Sequence, residues 1–173
     1  MSLTIETGAI VADAESFASV SDFRSYFASI GTDATALTDA KVEQLLRLGT
    51  NYLEQKYRFR WQGYRVSSVQ ALSWPRAFVQ VKDAISFYGN SVVYLPQTQV
   101  PKVVVWACCE LAYRANGGDL LGDQKQQVLS EQVASLSVTY DKSSPQYTRY
   151  LMIDAWLEPY LKITGNNAQM VRV

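Results

Sequence analysis

Histidine is absent from this 173-residue sequence. Its absence removes the commonest general base, the usual activator of a serine or cysteine nucleophile, and the commonest metal ligand. Cysteine occurs twice, at the adjacent positions Cys108 and Cys109. Neighbouring helical residues point in different directions, so a disulfide between them is not expected. Two thiols alone do not make a four-ligand zinc site. They read instead as small buried apolar residues in a reducing compartment. Net charge is also missing: sixteen basic residues balance sixteen acidic ones, so no global field draws the chain to nucleic acid or to an anionic membrane. The longest apolar run, Val103–Cys109, is far shorter than the roughly 20 residues that span a bilayer. No run of cations followed by an apolar core opens the chain, and no signal peptide is expected. Phosphate-loop and dinucleotide-binding glycine patterns do not occur. Gly117-Gly118-Asp119 reads as the end of a helix. The sequence therefore points away from an enzyme, and no cofactor or metal ligand set can be assembled from it.

What is present is a packed-core composition, 48% hydrophobic and 12% aromatic, in a length that fits one domain. Charge is neutral in total but uneven along the chain. Residues 1–56 carry −4, residues 57–82 carry +5 with no acid among them, and residues 83–173 carry −1. The basic segment opens with Tyr57–Arg76, YRFRWQGYRVSSVQALSWPR, in which arginines alternate with aromatics.

Around it the chain reads as α+β: about four helices in a bundle-like core, a β-hairpin, short antiparallel strands, and extended N- and C-terminal arms. Ser21-Asp22 is a helix start followed by Phe23, Tyr26, Phe27 and Ile30 at helical spacing, with Gly31 as the stop. Thr38-Asp39 opens a second helix to Tyr57. Its stripe of Val42, Leu45, Leu46, Gly49, Tyr52 and Leu53 contains a glycine, tolerable where another backbone packs closely. Pro75 holds Trp74 out of helical conformation. Residues 78–95 suggest a hairpin around Gly89-Asn90. Pro101 starts a third helix. Leu136, Val138 and Tyr140 alternate as in a half-buried strand, and Pro145 leads into a fourth helix that Pro159 should kink or end.

Three uses suit the basic–aromatic stretch. Single-stranded nucleic acid could stack on Trp61 and Tyr64 while Arg58, Arg60 and Arg65 pair its phosphates. The same residues could form a protein interface, since Tyr, Trp and Arg dominate hot spots. Or they are framework, with Phe59, Trp61 and Trp74 buried and the arginines paired with acids, Glu110 being matched to Arg65 or Arg76. Framework and interface rank ahead of nucleic acid because the net charge is zero.

The order of elements also carries a resemblance. Leu37-Thr38-Asp39, Asn51-Tyr52-Leu53-Glu54, Trp61-Gln62-Gly63-Tyr64-Arg65, Ser73-Trp74-Pro75-Arg76, Cys109-Glu110-Leu111-Ala112 and Gly118-Asp119-Leu120-Leu121 resemble, over residues 5–162, a tailed-bacteriophage family often labelled DnaT-like single-stranded DNA-binding. Members of that family resemble the head-to-tail adaptors (connectors) of the phage neck. The resemblance implies a structural virion protein, assembled in the host cytoplasm: a homo-oligomeric ring, a dodecamer, that joins portal protein to a tail-side neck or tail protein. Its channel passes double-stranded genomic DNA without sequence-specific binding and without contact to membrane. On this reading Arg58, Arg60, Trp61, Tyr64, Arg65, Trp74, Arg76 and Glu110 are subunit or framework contacts within a domain spanning 1–163. Residues 164–173 are a tail that docks on the portal through Met170, Val171, Arg172 and Val173. A replication-type single-stranded-DNA binder using Tyr57–Arg76, or a stopper or tail-terminator ring, are the alternatives. Residues 78–98 depart from the family pattern.

Overall fold

The computed structural model describes residues 2–84, 92–121 and 148–162, together with the backbone of 130–133 and 136–139. The helices are α1 (Val20–Ser29), α2 (Asp39–Tyr57), α3 (Lys102–Ala115) and α4 (Leu151–Leu157), the last followed by a 3₁₀ turn, Glu158–Tyr160. Two short antiparallel sheets accompany them. β1 (Tyr64–Arg65) pairs with β2 (Arg76–Ala77), and β3 (Ser130–Val133) pairs with β4 (Leu136–Thr139). The fold is thus mixed α+β with four helices. None of the described helices is long and apolar enough to cross a membrane.

α2 and α3 form the spine. Val42, Leu45, Leu46, Leu53 and Tyr57 on α2 meet Val104, Cys108, Leu111 and Ala112 on α3 in one buried cluster. Gly49 lets them approach. A Cβ placed there would stand 2.7 Å from the Cys108 carbonyl oxygen and 3.0 Å from the Ala112 nitrogen. The glycine in the apolar stripe therefore marks a helix crossing. Beside it, Thr50 Oγ1 lies 3.2 Å from Cys108 Sγ and 3.4 Å from Ser16 Oγ, so a small polar cluster is satisfied inside the core. Burial pushes the Cys108 and Cys109 thiols up, which leaves both in the unreactive protonated form.

Two local expectations change. α1 begins at Val20, and its cap is Ser19, not Ser21. Asp22 returns a bond to the Ser19 N–H, completing a reciprocal capping box; that pairing adds a second satisfied donor and wins over a single cap. The extended N-terminal arm is packed onto the domain. Leu3, Ala14, Phe17 and Ala18 belong to the core, and the buried Glu6 carboxylate accepts N–H bonds from Gly8, Ile10 and Val11. A carboxylate satisfied by three backbone donors fixes the loop that carries them.

The proposed hairpin is visible at its base, where Gln80 bridges Tyr94 and Val81 and Leu95 donate to the Val93 and Val79 carbonyls. The Gly89-Asn90 turn and the tail Met170, Val171, Arg172, Val173 lie outside the described residues. Pro159 sits inside the 3₁₀ turn that ends α4, where its fixed φ and missing N–H fit.

Gly49→Ala gains about 1 kcal/mol of helix propensity, but its methyl meets backbone on α3, and overpacking of this kind costs about 1–3 kcal/mol. Urea unfolding should show a net loss of stability, larger for Gly49→Val. A stabilised Gly49→Ala would mean the helices do not meet at this point.

Candidate nucleic-acid interface

The end of α2 builds the site. Past Tyr57 the chain turns through Arg58, Phe59 and Arg60, then bridges Trp61 to Leu161. The Lys162 N–H donates to the Arg60 carbonyl at 2.7 Å and the Gln62 N–H to that of Tyr160 at 2.9 Å, while the Gln62 side-chain amide donates to the Pro159 and Leu161 carbonyls. The segment after α2 is therefore clamped by the segment after α4. β1 and β2 follow, aligned by Gly63. That residue has a φ of +62°, and a Cβ there would fall 1.9 Å from the Ala77 carbonyl oxygen, so only glycine fits.

The stretch divides into an inside and an outside. Tyr57, Trp61 and Trp74 are fully buried. The two indoles meet edge to face at 5.5 Å, with Tyr57 5.7 Å from Trp61 and Tyr160 6.1 Å from Trp74. Such edge-to-face contacts add about 0.5–1.5 kcal/mol per pair beyond area burial. Arg76 is buried with them. Its guanidinium donates to the carbonyls of Gln62 (2.7 Å), Gly63 (2.8 Å) and Ser73 (3.1 Å). Burial pulls its pKa down to about 10, still well above neutrality. Arg76 thus binds backbone, not the acid that the sequence suggested, because three converging carbonyls absorb its donors. Glu54 closes the same knot, accepting from the Ser73 N–H at 2.8 Å.

Glu110 pairs with neither Arg65 nor Arg76. It stands 2.7 Å from Arg114, one helical turn on, and accepts the Tyr26 hydroxyl at 2.8 Å. The i,i+4 spacing within α3 supplies the nearer partner.

Phe59 is the main correction. Expected in the core, it is 86% exposed, and Tyr64 is 72% exposed. The helical stripe ends at Tyr57, so residues beyond it no longer follow the inward period. The two rings line one concave groove of about 670 Å³ with Arg58, Arg65, Arg76 and Lys162, against which Glu54 supplies the single carboxylate. Arg58 lies 3.6 Å from Glu54, a partly exposed pair worth little. Arg65 is oriented by donating to the Gln70 carbonyl at 2.9 Å, and Lys162 Nζ reaches the Phe59 carbonyl at 3.4 Å. Arg58, Arg65 and Lys162, with two displayed aromatic faces, can pair phosphates and stack bases, whereas Arg76 is committed to backbone. Of the residues singled out from sequence, the structure gathers Arg58, Tyr64, Arg65 and Arg76 here. It sets Trp61 and Trp74 beneath, and it places Arg60 on the other side of the turn and Glu110 on α3. Lys162 was missed; nothing in its local sequence signals that the segment after α4 returns to Arg60. Among the described residues no cluster of three metal-ligating side chains occurs.

Comparison with known proteins adds one finding. The sequence model of a family described as "Putative DnaT-like ssDNA binding protein" matches residues 1–173. No curated protein and no solved structure matches the chain.

Trp61→Ala should cost about 3–5 kcal/mol, as large-to-small changes at fully buried aromatics do. Phe59→Ala should stay within about 0.5 kcal/mol of the parent, as for an exposed side chain. Thermal or urea unfolding of the two variants checks the division directly. Equal effects would contradict it.

Proposed function

The chain belongs to the DnaT-like single-stranded-DNA-binding family, and from that membership we propose that the groove beside Phe59 and Tyr64 binds single-stranded DNA without reading its sequence. The observation that carries this reading is the display of two aromatic rings among three cations, Arg58, Arg65 and Lys162, on a buried framework that includes Arg76. Base stacking is indifferent to sequence because every base has a π-face, and the arginines supply the electrostatic part. The role is binding, not catalysis. A neutral protein with one local basic groove binds by a handful of phosphate contacts, so its affinity should fall steeply with salt.

A second reading, the phage neck ring, is favoured by a different observation. Trp106 is 41% exposed and lies 6.3 Å from both Tyr26 and Trp156, an aromatic face shared by α1, α3 and α4. An exposed tryptophan flanked by a half-buried tyrosine and a half-buried tryptophan suits a protein interface. The contrast between the −4 of residues 1–56 and the +5 of residues 57–82 suits head-to-tail contact between copies. Under this reading the partners are further copies, a portal and a tail-side protein, and the location is the virion neck. Electron microscopy of particles that carry the protein separates the two. A ring between capsid and tail supports the neck role, and particles without the protein there remove it.

For the first reading, Phe59→Ala and Tyr64→Ala should each weaken oligothymidylate binding by about 1–3 kcal/mol, or roughly 5- to 150-fold, the range measured for stacked bases. Fluorescence anisotropy at two or more salt concentrations reads it. Unchanged affinity in both variants would place the DNA elsewhere.

A further inference from the structure

A second polar groove, of about 530 Å³, lies beyond the Arg58–Arg60 turn and is lined in part by Lys56, Arg60, Arg149, Asp154 and Glu158. The two grooves share a ridge. Arg58 and Phe59 face the first and Arg60 the second; Lys162 lines the first and Leu161 the second. The ridge is held by the Trp61–Leu161 bridge and the Lys162-to-Arg60 backbone bond, and its crest is the exposed ring of Phe59.

Inside the second groove the acids and bases are not equally committed. Asp154 accepts the Tyr57 hydroxyl and Lys56 Nζ, the latter at 3.0 Å. These bonds hold its carboxyl below the usual range even though burial opposes this, while burial, helped by the bond to Asp154, pushes the Tyr57 hydroxyl up. Arg149 reaches Asp154 only through Nε, at 4.0 Å, and is half exposed. Its terminal NH₂ fork has no partner among the described residues. Arg60 makes no ion pair among the described residues; it is exposed and stacks over the Tyr57 ring with its guanidinium carbon 5.5 Å from the centroid. Glu158 is an exposed acid at the rim and leaves the groove with one positive charge in excess. Asp154 therefore spends its charge positioning Lys56 and Tyr57, while two guanidinium groups remain presented. Such groups match phosphate oxygens in pairs.

We propose that this second groove is a phosphate subsite of the same binding surface, so that one single strand crosses the ridge. A base would stack on Phe59, with phosphates on Arg58, Arg65 and Lys162 on one side and on Arg60 and Arg149 on the other. The proposal rests on the single-strand reading and extends it from a groove to a track.

The test is anisotropy with fluorescent oligothymidylates of increasing length, using the full chain and the double variant Arg60→Ala/Arg149→Ala. Each lost phosphate contact should reduce the slope of log K against log salt by about 0.7 for a single strand, so the double variant should lose about 1.4. It should bind the shortest oligonucleotides like the parent and fail to gain affinity on lengthening. Arg60→Lys/Arg149→Lys should keep most of the slope. Circular dichroism and unfolding confirm that the variants are folded, as expected for two exposed side chains. If the parent binds no single strand, the parent reading falls and the track with it. If the parent binds and the double variant keeps both slope and length dependence, the track alone is overturned.

Discussion

The edge-to-face burial of Trp61 against Trp74 is the constraint on which the rest of this surface depends. Two indoles can be enclosed at the end of α2 only if the chain leaves the helix at Tyr57 and returns over them. Gly63 and the β1–β2 pair make the return possible, and Arg76 ties it by donating to three backbone carbonyls, that of Ser73 in a buried setting. A buried carbonyl left unpaired costs about 1–3 kcal/mol, so the guanidinium is structural in this position. The consequence falls on the neighbours. Once Trp61 and Trp74 occupy the interior, Phe59 and Tyr64 have no room there and stand in solvent beside the remaining cations.

This separates two roles that share one stretch of sequence. Tyr57, Trp61, Trp74 and Arg76 shape the ridge. Arg58, Phe59, Arg60, Tyr64 and Arg65 are what the ridge displays. The C-terminal return at Leu161 and Lys162 belongs to both, since it clamps the turn by backbone bonds and adds a cation to the groove. The α2–α3 crossing at Gly49 holds the helix that presents the whole assembly, and the satisfied cluster of Ser16, Thr50 and Cys108 joins the N-terminal segment to the same spine. Function would thus be carried by a rigid platform, with the order already present before any ligand arrives.

Much of this was legible in the residues. The three-and-four spacing from Val42 to Tyr57 gave α2 with both ends, because a Thr38 cap and a long apolar stripe agree. Gly49 within that stripe announced a close approach. The buried framework role of Trp61 and Trp74 followed from the zero net charge, the missing histidine and the family resemblance, which together weigh against a nucleic-acid grip by the whole stretch. Phe59 differs from the expectation because it was grouped with Trp61 and Trp74 as one aromatic run, whereas the turn after α2 sends Trp61 inward and leaves Phe59 in solvent. Glu110 was matched to a distant arginine because a basic cluster is conspicuous and Arg114 is not. The convergence of Arg149 and Lys162 on the α2 end is a long-range contact, and one sequence carries no trace of it. The neck-ring expectation came from likeness in motifs and element order, with the −4/+5 charge contrast in its favour, and the family match speaks only to single-stranded DNA.

The central claim is the division of one aromatic–cationic stretch into a buried framework and a displayed binding face. Hydroxyl-radical footprinting read by mass spectrometry, on the free protein and with oligothymidylate, tests both halves at once. Phe59 and Tyr64 should be oxidised in the free protein and protected by the strand, with Trp61 and Trp74 unreactive in both states. Oxidation of Trp61 in the folded protein, or a strand that leaves Phe59 and Tyr64 as reactive as before, would contradict the account.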